Sequence, residues 1–217
     1  MSTSPSSERP TRRGRETLAA IDAAARKLIA EKGFLNVSVA DIAAESGRSA
    51  ASFYNYYESR EHMLARWAER FRDKARRRAH EAFDPRLTHR EQIYREARAH
   101  VTTYRESLAE MIGVFQLAMI SKDFARYWRE LCQPAVDLIT TMIQSAQREG
   151  YCRGMHPVMA ATAIVSLLNQ YCYEHYSTNG LLEDAEDEAV IRVIADLWYH
   201  AIYWQDDPDD QGCASSA

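Results

Sequence analysis

The sequence predicts an all-α protein, with a small N-terminal helix-turn-helix domain of three helices and a larger C-terminal helical domain. Three observations carry that reading. Apolar residues recur at three- and four-residue intervals nearly end to end, the spacing of helices with one buried face. Ser38 with Asp41, and Thr88 with Glu91, stand at capping-box spacing ahead of apolar runs. No stretch alternates apolar and polar residues as a half-buried strand does, and no internal repeat is visible. A chain of 217 residues has room for both domains and their cores. The divisions expected are a disordered basic arm over 1–14, the helix-turn-helix domain over 15–58, the larger domain over 59–205 and a disordered tail over 206–217.

Leu18, Ile21, Ala25, Leu28 and Ile29 place the first helix over 15–32, with Gly33 at its end. From Val37 to Leu64 the chain reads VSVADIAAESGRSAASFYNYYESREHML. There Ser38 and Asp41 open a short helix whose apolar face is Val39, Ile42 and Ala43, and Val37 can staple onto Ile42. Gly47 falls where a helix end commonly needs a left-handed residue. Ser49 then caps a second short helix, Ala50 to Tyr56, with Phe53 turned inward. Ser52, Tyr54, Asn55 and Tyr56 leave small or hydrogen-bonding groups outside, which suits a helix that must approach nucleic acid closely. Two short helices about a tight turn make a helix-turn-helix, whose second helix enters the major groove.

This segment resembles the DNA-binding domain of the TetR family of bacterial transcriptional regulators. The likeness rests on Gly33-Phe34, Ile42-Ala43, Gly47, the block Tyr54-Asn55-Tyr56-Tyr57, Arg60 and Leu64, and covers residues 15–70. Arg60 stands where Lys is more usual. Arg48 replaces a commonly apolar residue, so it either points outward or adds a DNA contact. The resemblance implies a ligand-responsive regulator, a repressor released from a palindromic operator by a small hydrophobic effector. It implies a homodimer through the last two helices, and a regulatory role for the larger domain. On this reading Arg48, Ser49, Ala50, Ser52 and Asn55 meet base edges, while Tyr54, Tyr56 and Arg60 contact phosphates. Packing of the Tyr54 ring on the first helix is the plainer alternative for that residue.

Ser59 begins a long helix with an apolar stripe of Met63, Leu64, Trp67 and Phe71, broken at Asp84-Pro85. Thr88 opens a helix with Ile93, Ala97, Val101 and Tyr104 on one side. Leu108 to Ile120 is so apolar that burial on most sides is expected. A helix over 124–149 should kink at Pro134, Gly150 and Gly154 mark a loop, and Pro157 sits at the first position of the next helix. The final two helices, over 157–177 and 186–204, flank the polar loop STNGLLEDAEDE. Val158, Val165, Leu168 and Cys172 on one, and Val190, Ile194, Leu197, Trp198, Ala201 and Ile202 on the other, are either a dimer interface or core.

The resemblance also implies a ligand cavity among the helices over 88–149 and part of 157–177. That region is rich in aromatic and methionine side chains, which would favour an extended or flat hydrophobic ligand. His100, Tyr104, Phe115, Gln116, Met119, Tyr127, Trp128 and Asn169 are the candidate lining residues, with ordinary core as the alternative for each. No Gly-rich phosphate loop, GxSxG motif or metal-ligand spacing points to an enzyme, so no catalytic residue, cofactor or metal is expected. The competing function is a DNA-binding regulator or architectural protein controlled by a protein partner, with no small effector.

Charge divides the chain. Residues 1–82 carry 16 Lys and Arg against 11 Asp and Glu; residues 83–217 carry 11 against 20, so a net +5 and a net −9 give the overall −4. A basic front and an acidic rear suit a protein that sets one end on DNA. Arg9, Arg12, Arg13 and Arg15 form a basic arm that could reach flanking phosphate or the minor groove. The run RDKARRRAH over 72–80 reads more simply as a solvated helix face. Cys132, Cys152, Cys172 and Cys213 are widely spaced and read as reduced thiols. No apolar run approaches the ~20 residues of a membrane span and the N-terminus lacks a signal-peptide core, so a cytoplasmic protein without a membrane partner is expected.

Overall fold

A computed structural model describes residues 11–177, 180, 182 and 184–205. Arg9, Cys213 and the predicted tail over 206–217 lie outside the described residues. All regular elements among those described are helical. The first helix, α1 (Arg12–Lys32), starts three residues earlier than the apolar spacing alone predicts, because the Thr11 side chain accepts a hydrogen bond from the Gly14 N–H and caps it. Arg12, Arg13 and Arg15 are therefore helical and not part of an extended arm.

Gly33, at φ 75°, turns the chain into a single 3-10 turn over Phe34–Asn36. In α2 (Val39–Ser46) the predicted reciprocal cap of Ser38 and Asp41 is formed, and Gly47 takes the left-handed conformation (φ 62°, ψ 32°). Ser49 caps α3 (Ala50–Tyr54), which ends two residues short of the prediction. Then follow α4 (Arg60–Ala82), α5 (His89–Arg105), α6 (Leu108–Ala118), α7 (Lys122–Arg148), α8 (Pro157–Tyr176) and α9 (Asp187–Ile202). The helix α7 continues through Pro134, and Thr88–Glu91 forms the predicted box at the start of α5.

Two apolar clusters organise these helices. The first gathers Ile21, Leu28 and Ile29 of α1, Phe34, Ile42 and Phe53 around Met63, Leu64 and Trp67 of α4. Each such side chain withdrawn from water stabilises the fold by ~1.5–3 kcal/mol. The second gathers the inner faces of α5, α7, α8 and α9. Between them lies α6, which gives Ala109, Ile112, Val114 and Leu117 to the first cluster and Met111 to the second. Where α6 crosses α4, Gly113 leaves no room for a side chain: a Cβ there would stand 2.9 Å from both methyls of Leu64.

Two expectations need correction. Met119 and Ile120 are each 69% exposed, because α6 stops at Ala118 and Ser121 starts α7. On α8 and α9 most residues first read as a possible interface are core: Val165, Leu168, Cys172, Val190, Ile194, Trp198 and Ile202 are buried within the chain. Their inner faces pack on α7 and α5. The opposite faces carry Met159, Ala163 and Leu167 on α8, and Ala189, Val193 and Leu197 on α9, exposed and spaced every four residues.

Candidate nucleic-acid interface and ligand cavities

The helix-turn-helix presents a narrow exposed ridge. Arg48, Ser49, Ala50, Ala51, Tyr54 and Asn55 are all exposed on it, while Phe53 beneath them is fully buried. Tyr54 is 58% exposed and meets Phe53 edge to face, so its hydroxyl is directed away from the core. Ala51, not singled out in the sequence, shares the ridge because it follows Ala50 in the first turn of α3. Ser49 accepts from the Ser52 N–H at 3.2 Å, and their hydroxyls lie 3.0 Å apart, so Ser52 helps close the cap.

Two of the predicted contact residues turn back into the protein. The Tyr56 hydroxyl donates to the Gly14 carbonyl at 3.0 Å, tying the end of α3 to the start of α1. Arg60 donates to the carbonyls of Phe34 and Val37, and its guanidinium lies 4.9 Å over the Phe34 ring. Beside them, the buried Tyr57 donates to Asp22 at 2.6 Å, and burial reinforced by that carboxylate pushes its hydroxyl up to about 12. The ridge is thus held from behind by four bonds, two to α1, one to the 3-10 turn and one to Val37 just after it. Sequence spacing gives no warning of them, since the partners lie 23 to 42 positions away.

A second set of bonds joins this head to α6. Gln116 accepts from the Phe34 N–H at 2.7 Å and, more weakly, from Leu35 at 3.4 Å. Arg26 of α1 reaches the buried Glu110 at 3.1 Å while stacking 4.3 Å over the Trp67 ring.

Two cavities open in the larger cluster. One, of about 420 Å³, lies under the second half of α4 and against α5, α7 and α9; His100 and Tyr104 line it. The other, of about 430 Å³, lies among α6, α7 and α8, and is lined by Phe115, Trp128 and Asn169, with Tyr104 in the wall common to both. Gln116, Met119 and Tyr127 line neither cavity. Gln116 is held on the 3-10 turn, Met119 stands in solvent beyond α6, and Tyr127 packs against the first cluster.

The cavity walls are chemically quiet. Burial lowers His100 to about 4, keeping it neutral, and raises Glu96 to about 7. Tyr104 is likewise pushed above its usual value by burial. Cys132, Cys152 and Cys172 are free thiols; burial lifts Cys132 to about 11 and Cys172 to about 12, which makes both poor nucleophiles. Among the described residues no group of His, Cys, Asp and Glu could hold a metal ion, and no helix is long and apolar enough to cross a membrane.

Comparison with known proteins agrees with this architecture. A sequence model of the bacterial regulatory proteins of the tetR family matches residues 21–66, from α1 into α4. The HTH-type transcriptional regulator EthR of Mycolicibacterium smegmatis is 24% identical over 206 residues, covering 91% of this chain and 90% of that one. A tetR-family regulatory protein from Rhodococcus RHA1 superimposes with a TM-score of 0.71 at 19% identity, over 88% of this chain and 98% of the other. A regulator from Saccharomonospora viridis, crystallised with choline, does so at 0.68 and 20% identity, over 88% and 100%. The likeness to these two structures is one of fold.

Proposed function

Because the chain belongs to the TetR family of bacterial transcriptional regulators, we propose that it is a repressor which a small hydrophobic ligand releases from a palindromic operator. The observation that carries this reading is the position of α4. With 23 residues it is about 34 Å long. Its first half, through Met63, Leu64 and Trp67, is the floor under the recognition ridge; its second half, from Phe71 to Phe83, is a wall of the 420 Å³ cavity. A molecule that fills the cavity bears on the same rod that seats the reading head.

Arg48, Ser49, Ala50, Tyr54 and Asn55 face DNA, with Asn55 and Arg48 able to pair bidentately with adenine and guanine at ~1–3 kcal/mol of discrimination each. Ser52, Tyr56 and Arg60 reach DNA only with what their internal bonds leave free, and otherwise fix the angle of the ridge. One such ridge has a small footprint, and a two-fold dimer doubles it with half-sites ~34–36 Å apart. The stripes Met159-Ala163-Leu167 and Ala189-Val193-Leu197 are the faces we assign to that dimer. Ligand favours one arrangement of α4 over the other, with coupling of ~1–3 kcal/mol. Control by a protein partner alone would suit a fully packed larger domain; the two cavities favour a small effector.

Selection of genomic fragments by the purified protein, footprinted at two salt concentrations, tests the reading. A short inverted repeat is expected, with affinity falling by ~0.9 log unit per log unit of salt for each phosphate met. Weak binding indifferent to sequence would refute the operator, and hydrophobic metabolites that leave the footprint intact would refute the effector.

A further inference from the structure

The cavity under α4 is apolar over most of its wall, yet two of the residues that line it carry buried polar atoms without partners. His100 Nε2 and Trp198 Nε1 are both buried with no hydrogen-bond partner, and both residues line this cavity. Buried polar atoms are nearly always paired, and an orphan costs ~1–3 kcal/mol. An indole N–H only donates. The imidazole is neutral, and with its ring proton drawn to the Leu168 backbone carbonyl, Nε2 is left to accept. Between them the two leave one donor and one acceptor unmet, and a hydroxyl can supply either role.

The part of the lining that α4 supplies is basic. Arg72 and Arg76 stand one turn apart on α4 and line the same cavity, and among the described residues neither is in an ion pair. Their neighbours Lys74 and Arg78 are both spent on Glu106. On the α5 side, buried Glu96 also lines the cavity and accepts from Gln92 at 2.8 Å. A second carboxylate beside it would be repelled, so a ligand's negative charge belongs by Arg72 and Arg76.

We propose that this cavity takes an apolar carboxylate bearing a hydroxyl group, a hydroxylated fatty or aromatic acid, with the hydroxyl on His100 and Trp198 and the carboxylate at Arg72 and Arg76. The assignment rests on the ligand-responsive reading in treating the cavity as the effector site. About 420 Å³ accommodates a ligand on the order of 10–20 heavy atoms.

Calorimetric titration of the full chain tests it, using decanoate, decanol, decyltrimethylammonium and a set of hydroxydecanoates that differ in hydroxyl position. The best hydroxydecanoate should bind at least about tenfold tighter than decanoate, and decanoate tighter than decanol. His100→Phe and Trp198→Phe should each erase the hydroxyl preference while leaving decanoate within about threefold. Arg72→Gln combined with Arg76→Gln should erase the preference for acid over alcohol. The wild-type series stands by itself should a variant fail to fold. Equal affinity with and without the hydroxyl, no binding by about 1 mM, or tighter binding of the quaternary ammonium would overturn the proposal. Binding is measured without DNA, so the two readings fail separately. A hydroxydecanoate that binds but leaves the operator footprint intact sinks the effector role alone. Release by an unrelated hydrophobe with no hydroxydecanoate bound sinks this assignment alone.

Discussion

Glu96 and His100 stand one turn apart on α5, and burial pulls their titrations in opposite directions. Glu96 rises from 4.5 to about 7, with Gln92 and Arg95 opposing; His100 falls from 6.5 to about 4. A raised carboxyl holds its proton more tightly in the fold than in the open chain. Its stabilisation is complete below pH 4.5 and is lost as the pH climbs through about 7. The lowered imidazole behaves oppositely: its stabilisation is complete above pH 6.5 and is lost as the pH falls through about 4. Thermal unfolding followed across pH should therefore show Glu96→Gln removing part of the decline above neutrality, with a gain of roughly 1–3 kcal/mol on the alkaline side. Superimposable profiles for variant and wild type would rule this out. Residues of this kind mark the limit of what a sequence discloses. The Ser38–Asp41 cap and the left-handed Gly47 are legible because their geometry closes within three or four residues. Gln116 has its partner backbone 82 positions away, and nothing in an apolar helix says which neighbour its amide will find.

Among the elements, α6 bears a close packing constraint. The missing Cβ at Gly113 lets α6 lie against Leu64, the side chain of α4 that also supports the recognition ridge. Gly113→Ala should cost roughly 1–3 kcal/mol, since Leu64 is fully buried and has little room to retreat. Leu64→Val should relieve much of that cost in the double variant, a coupling that chemical denaturation of the four forms would measure. Strict additivity would show that the two helices do not press on each other there. The existence and order of the helices follow from apolar spacing. Which side of α8 and α9 faces inward does not, because both helices carry apolar residues on more than one face. Only the positions of α5 and α7 decide it, leaving Met159 and Leu197 outside and Leu168 and Trp198 within.

At the scale of the whole molecule, charge and exposed apolar surface belong to different ends of the chain: the basic excess lies in residues 1–82, and the two unpartnered stripes lie on α8 and α9. If the stripes join subunits, Met159→Glu with Leu197→Glu should yield a folded monomer, because within one chain these side chains are 70% and 48% exposed. Operator affinity should fall by at least about tenfold. Sedimentation and binding measured together decide the matter, and a variant that remains dimeric would show that the interface lies elsewhere. The shared position of α6 bears on modularity. Because Ala109, Ile112, Val114 and Leu117 complete the core beneath the reading head, a chimera cut after α4 would transplant that head with one wall missing. The exchangeable unit is discontinuous, α1 through α4 together with α6. A regulator of this build can acquire a new operator by point changes on its ridge far more readily than by trading heads.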